Sequence, residues 1–182
     1  MKTFLIGGAR SGKSSLAARW ANERSQTVCC VVTAAASDAE MTARIEAHRR
    51  ERPPHWRVRE EPSRLGAALM EECNTEGVVL IDCLTLWTAN CLWPPAQLSA
   101  EPQSQVQADL PGWLTERDAF LASLRSARNE IIIVSNEVGT SLVPENAAAR
   151  LFRDEQGRLN QLVAAACDSV FLVTAGLALR LK

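Results

Sequence analysis

Residues 2–16, KTFLIGGARSGKSSL, hold Gly7, Gly12, Lys13 and Ser14 at the spacing G-x-x-x-x-G-K-[ST], the pattern of a phosphate-binding P-loop. Each residue type has a physical task. Glycines adopt backbone dihedrals that side-chained residues resist, and they let the main chain approach a ligand closely. Along Gly7, Gly8, Ala9, Arg10, Ser11 and Gly12, successive N–H groups can point into one concavity that suits an anion. The helix that follows presents its positive end to the same phosphates. The Lys13 ammonium would reach the outer phosphates, and the Ser14 hydroxyl would ligate Mg²⁺. Lys13 is the only lysine between Lys2 and Lys182, in a chain with 17 arginines; this fits a special role, although the arginine-biased composition explains most of it.

Two further residues could act on phosphate. Asp82 ends the apolar run GVVLID, the position from which a carboxylate helps hold Mg²⁺ in P-loop proteins; a turn-forming aspartate after a strand is the plainer alternative. His48 is one of two histidines. On a helix over residues 38–51 it shares a face with Met41, Ile45 and Arg52, and Arg49, Arg50 and Arg52 follow at once. Two readings stay open from position alone. One is a packed histidine near the end of a solvated basic helix. The other is a nucleophile toward phosphorus, with the arginines screening phosphate charge. Imidazole suits that task because a substantial fraction is neutral near pH 7. His55 reads as a loop histidine beside Trp56, and Glu60 and Glu61 as solvated loop acids.

The elements that must position these residues follow from periodicity. Phe4, Leu5 and Ile6 form a short buried strand, and Leu16, Ala17, Trp20 and Ala21 one apolar helix face. Strands are predicted over 27–33, 77–82, 130–135, 169–174 and 177–181. Helices are predicted over 38–51, 84–92, 114–128 and within 144–167. Ser37 and Glu40 fit a capping box for the helix over 38–51, which Pro53 and Pro54 end. Residues 93–112, rich in Pro, Gln and Ser without a period, read as a surface excursion. Alternating strands and helices indicate an α/β architecture, a P-loop NTPase-type three-layer fold with a mainly parallel central sheet. Ligands on such sheets sit beyond the carboxyl ends of the strands. The candidate positions are therefore 7–14, 33–37, 82–85, 136–139 and 174–176.

Bulk properties narrow the class. A chain of 182 residues, 47% hydrophobic and 23% charged, reads as one globular domain. Its net charge of −1 argues against nucleic acid or an anionic membrane as partner. No stretch has the length of a membrane-spanning helix and no signal-peptide pattern opens the chain, so the expected location is the cytoplasm. The cysteines at 29, 30, 73, 83, 91 and 167 show no C-x-x-C spacing and read as small buried hydrophobes.

Several stretches taken together carry a resemblance: GGARSGKS at 7–14, TAAASDAEMTARI at 33–45, HRRERPPHW at 48–56, DCLTLW at 82–87 with Asn90, NEVG at 136–139, VPEN at 143–146, FRDEQGRLN at 152–160 and the closing GLALRLK. In this combination the chain resembles the bifunctional adenosylcobinamide kinase / adenosylcobinamide-phosphate guanylyltransferase family of cobalamin biosynthesis, along its whole length except 93–112. The resemblance implies phosphorylation of adenosylcobinamide by ATP or GTP. It then implies transfer of GMP from GTP to adenosylcobinamide phosphate through a guanylyl-histidine, releasing pyrophosphate. It puts the guanylylated histidine on His48. It puts nucleotide contacts on Gly7 to Ser14, on Val32, Thr33 and Ala34, on Arg49, Arg50, Glu51 and Arg52, and on Glu60 and Asp82. It also implies Mg²⁺ and a homo-oligomer, trimeric in some members. Two other readings compete: a single-function small-molecule kinase with a structural His48, and a nucleotide-dependent switch that uses only the P-loop and Asp82.

Overall fold

The computed structural model describes residues 1–34, 46, 49–50, 52–73, 76–94 and 107–182. Strands β1 (Lys2–Gly7), β2 (Val28–Val32), β4 (Val78–Asp82) and β5 (Glu130–Asn136) are runs of almost wholly buried residues. Such continuous apolar runs are what a parallel sheet covered on both faces requires. With β3 (Arg57–Glu60), β6 (Ser169–Thr174) and β7 (Leu177–Arg180) they form one seven-stranded sheet, ordered β3-β2-β4-β5-β1-β6-β7. All pairings are parallel except β6 with β7. The carboxyl ends of the six parallel strands therefore share one rim.

Helices cover both faces. Alternate strand residues point to opposite sides, so Phe4, Val31, Ile81 and Ile133 meet one cluster while Leu5, Cys30, Leu80 and Ile132 meet another. On the first side pack α2 (Leu65–Glu72), α3 (Leu84–Leu92), α4 (Leu110–Ser126) and α5 (Ala147–Ala166). Trp87 of α3 is its centre, edge-on to Trp113 and Phe120 of α4 with centroids 5.1 Å away in each case. On the second side lie Leu16, Ala17 and Ala21 of α1 (Lys13–Arg24), together with Trp56. This is the three-layer arrangement expected, and all six cysteines are free, four of them buried.

Three differences from the sequence reading have physical causes. β3 was expected to be loop, with Glu60 a loop acid. Its side chains are mostly exposed at the sheet edge, so Arg-Val-Arg-Glu carries no apolar signal, yet its backbone pairs with β2 from Arg57 to Glu60. α2 was not foreseen; it packs so closely on α4 that a Cβ on Gly66 would lie 2.8 Å from the Phe120 nitrogen. α4 starts inside the expected excursion, because the Asp109 carboxylate accepts from Gly112 N–H at 3.0 Å and Pro111 occupies the first turn, where it loses no helical bond. The expected helix over 38–51, with its Ser37 and Glu40 cap, lies outside the described residues except for Glu46, Arg49 and Arg50, which are helical. Most of the 93–112 stretch also lies outside them.

Candidate active site

The candidate phosphate cradle begins where β1 ends. Gly7 has no room for a side chain, since a Cβ there would meet the Val173 carbonyl oxygen of β6 at 2.2 Å. Arg10 and Gly12 take left-handed dihedrals, with φ of 56° and 91°, which turns the chain back into α1. The Ser11 carbonyl accepts from Gly176 N–H at 2.9 Å, so the β6–β7 turn braces the loop. Among the described residues the buried Ser11 hydroxyl has no hydrogen-bond partner, a polar group of the kind a bound phosphate satisfies. Lys13 is only 7% exposed, and its Nζ donates to the Gly8 carbonyl at 2.9 Å.

Across the rim stands Asp82. The Ser14 hydroxyl donates to its Oδ1 at 3.3 Å, and Arg52 Nη2 lies 3.9 Å from its Oδ2. Hydroxyl and carboxylate are hard oxygen donors. A Mg²⁺ that draws the rest of its octahedron from water and substrate phosphate fits one or two such ligands. Among the described residues there is no cluster of three or more His, Cys, Asp or Glu that could hold a metal, so a site here depends on that sharing. A groove of about 400 Å³ opens beside this pair, between Asn22 of α1 and Arg52, Pro53 and Trp56.

Thr33 follows β2 and is locked in place. Its hydroxyl donates to the Cys83 carbonyl at 2.6 Å and accepts from Cys83 N–H at 3.0 Å. Its carbonyl accepts from the Asn90 amide at 2.8 Å. Val32 and Thr33 thus lie against Asp82 and Cys83, and their strand β2 is three strands from the cradle strand β1; Ala34 follows Thr33 in the chain. Glu60 shares the rim but sits at its outer end, four strands from β1, roughly 19 Å away at ordinary strand spacing. Arg49 and Arg50 are exposed, and Arg50 Nη2 is 3.7 Å from Glu46. His48 and Glu51 lie outside the described residues.

One part of the site was missed from sequence: a string of buried polar side chains behind β5. Asn160 and Gln156 stand one turn apart on α5. The Asn160 amide donates to the Asn136 carbonyl at 3.0 Å, and its Oδ1 accepts from Ser135 Oγ at 2.8 Å and from Gln156 Nε2 at 3.0 Å. From the other side Thr85 Oγ1 accepts from Asn136 N–H at 2.8 Å. The available signal was Gln156 and Asn160 at i and i+4, on the helix face that also carries Leu159 and Val163.

Known proteins resemble this chain in both sequence and fold. A sequence model of the family described as cobinamide kinase / cobinamide phosphate guanyltransferase matches residues 3–181. The bifunctional adenosylcobalamin biosynthesis protein CobP of Pseudomonas aeruginosa is 43% identical over 182 residues, covering 100% of this chain and 98% of that protein. The bifunctional adenosylcobalamin biosynthesis protein CobU of Escherichia coli is 37% identical, covering 100% of both. Among solved structures, an ATPase from the type III secretion system of pathogenic bacteria superposes with a TM-score of 0.51 at 12% identity, over 98% of this chain and 56% of that one. That likeness is one of fold alone.

Proposed function

The chain belongs to the cobinamide kinase / cobinamide phosphate guanyltransferase family, and from that premise we propose how one cradle serves both reactions. The enzyme acts in adenosylcobalamin biosynthesis. It phosphorylates cobinamide and transfers a guanylyl group to cobinamide phosphate. In our reading the corrinoid is adenosylcobinamide, the phosphoryl donor ATP or GTP, and the guanylyl donor GTP.

In the second reaction neutral His48 attacks the α-phosphorus of GTP. The N–P bond forms as the bond from the α-phosphorus to the bridging oxygen breaks, and pyrophosphate leaves with the electron pair. Lys13 and the N–H groups of residues 7–14 stabilise the charge on the departing phosphates. The phosphoramidate divides one hard transfer into two easier ones. An oxygen of cobinamide phosphate then displaces the imidazole, giving adenosylcobinamide-GDP. Ser14 and Asp82 would hold Mg²⁺, which when bound neutralises phosphate charge. Arg49, Arg50 and Arg52 screen the same charge; Val32, Thr33, Ala34, Glu51 and Glu60 complete the nucleotide contacts.

The observation that carries this reading is the Ser14–Asp82–Arg52 constellation beside the cradle. It links the P-loop to the arginine-rich segment on which His48 lies. The test is incubation with Mg²⁺ and α-labelled GTP, followed by denaturation. Stoichiometric label that is acid-labile and base-stable is expected, and is lost in His48→Ala. Lys13→Ala loses both label and kinase activity. Active protein without label overturns the guanylyl-histidine.

Two further elements belong to the proposal. We place the enzyme in the cytoplasm, where six free cysteines persist; among the described residues no helix is long and apolar enough to cross a membrane. We also propose a homo-oligomer. Leu177 and Leu179 on the edge strand β7, with Leu181 beyond it, are 73%, 60% and 58% exposed, an apolar edge that a lone protein would leave open to pairing.

A further inference from the structure

We propose that Glu137 is the general base of the phosphorylation step, a role that rests on the kinase half of the function above. A hydroxyl that attacks the γ-phosphorus must give up its proton, and a carboxylate in reach of it can take that proton. The described residues supply few carboxylates at the rim. Asp82 is engaged with Ser14 and Arg52. Glu60 is four strands away. Glu61 accepts from the Ser63 and Arg64 backbone at 3.2 and 2.8 Å. On the other flank of the cradle the turn after β6 is Thr174, Ala175 and Gly176, without an acid. Glu145 sits at the far end of the loop after β5, one residue before the Asn146 cap of α5.

Glu137 follows the end of β5, the strand beside β1, and its N–H donates to the carbonyl of Gly7, the first cradle residue, at 3.0 Å. Its backbone is therefore fixed against the loop that holds the phosphates. The preceding residue is held from both sides by Thr85 and Asn160, so the base stands on a rigid mount. One carboxylate oxygen is oriented as well, because Glu137 Oε1 accepts from Gly139 N–H at 2.6 Å. A Cβ on Gly139 would lie 3.0 Å from Oε1, a close approach that the carboxylate's own movement can relieve. Oε2 accepts no hydrogen bond from the described residues, and in the proposal it is the oxygen that takes the proton.

The step balances simply. The substrate hydroxyl oxygen bonds to the γ-phosphorus. The bond from the γ-phosphorus to the β–γ bridging oxygen breaks, and the nucleoside diphosphate leaves with that electron pair. The hydroxyl proton passes to Glu137 Oε2 and from there to water.

The test compares both half-reactions in the full chain with Mg²⁺. Glu137→Gln keeps an acceptor for Gly139 N–H but cannot take a proton. Its kcat for phosphorylation of adenosylcobinamide is expected to fall by about 10²–10⁴-fold, with KM for nucleotide and corrinoid unchanged and labelling by α-labelled GTP at the parent rate. Glu137→Asp, with a carboxylate on a shorter arm, is expected between the two. Phosphorylation by E137Q at the parent rate overturns the proposal, as does E137D no faster than E137Q, or loss of phosphorylation and labelling together. Absence of label in the parent itself counts against the guanylyl-histidine and leaves the base assignment to the kinase comparison.

Discussion

At Gly7 a single missing side chain joins the sheet to the chemistry. The residue ends β1, its carbonyl receives Glu137 N–H at 3.0 Å, and the Val173 carbonyl occupies the space of its absent Cβ. Gly7→Ala must push β6 away from β1 at the mouth of the cradle. We expect a loss of roughly 1–3 kcal/mol, the range for overpacking, and weaker GTP binding. Urea unfolding with and without GTP measures both, and an alanine variant with the parent's midpoint and affinity would refute the steric argument. The cradle residues were legible in sequence because their spacing is fixed by the geometry of a phosphate. Asp82 was legible from its place at a strand end. Thr33 was found as a position but not as a clamp, since nothing in a threonine announces that Cys83 will use both sides of its hydroxyl. The role proposed for His48 rests on resemblance, because helical spacing alone assigns a face and not a reaction.

Among the elements, β3 and α2 were illegible for opposite reasons. β3 is polar and held by its backbone, so periodicity has nothing to register. α2 is short, with Leu65, Ala68 and Leu69 buried, and blends into the loop before β4. An ionic knot ties the two together. The Glu72 carboxylate is buried and paired with Arg57, and Arg59 Nη1 donates to it at 3.2 Å. Hydrogen bonds from Arg57 first, then Arg59, outweigh burial and hold Glu72 at about 2 against an ordinary 4.5. A carboxylate whose pKa is depressed on folding stabilises the protein above its unfolded value, and that contribution fades as pH falls toward the folded value. Glu72→Gln is therefore expected to cost roughly 2 kcal/mol at neutral pH, a charged hydrogen bond's worth discounted for the solvent that screens the half-exposed Arg57. The gap should persist down to about pH 5 and close between about 4.5 and 2. Denaturant midpoints of parent and variant across that range measure it; a gap independent of pH would show that Glu72 acts through packing instead.

For the whole molecule, the mainly parallel sheet and its three layers were legible from alternating strand and helix patterns, while the state of assembly was not, because an exposed leucine reads the same in a core strand as on an open edge. If β7 pairs with another copy, sedimentation velocity will show a species larger than the 19.9 kDa chain, and Leu179→Glu will shift it to monomer. A parent that sediments as a monomer at every concentration excludes the assembly. The strand order also sets a timetable for the newborn chain. β1 contains residues 2–7, yet its neighbours are residues 130–136 and 169–174. At roughly 5–20 residues per second of synthesis, β1 waits on the order of ten seconds for its first partner. Meanwhile β2, β3 and β4 can pair among themselves. The cradle strand is thus made well before its neighbours and assembled after them: Gly176 must arrive before Ser11 is braced. A chain that lacks the β6–β7 turn lacks this brace on Ser11, so we expect its nucleotide binding to be weaker.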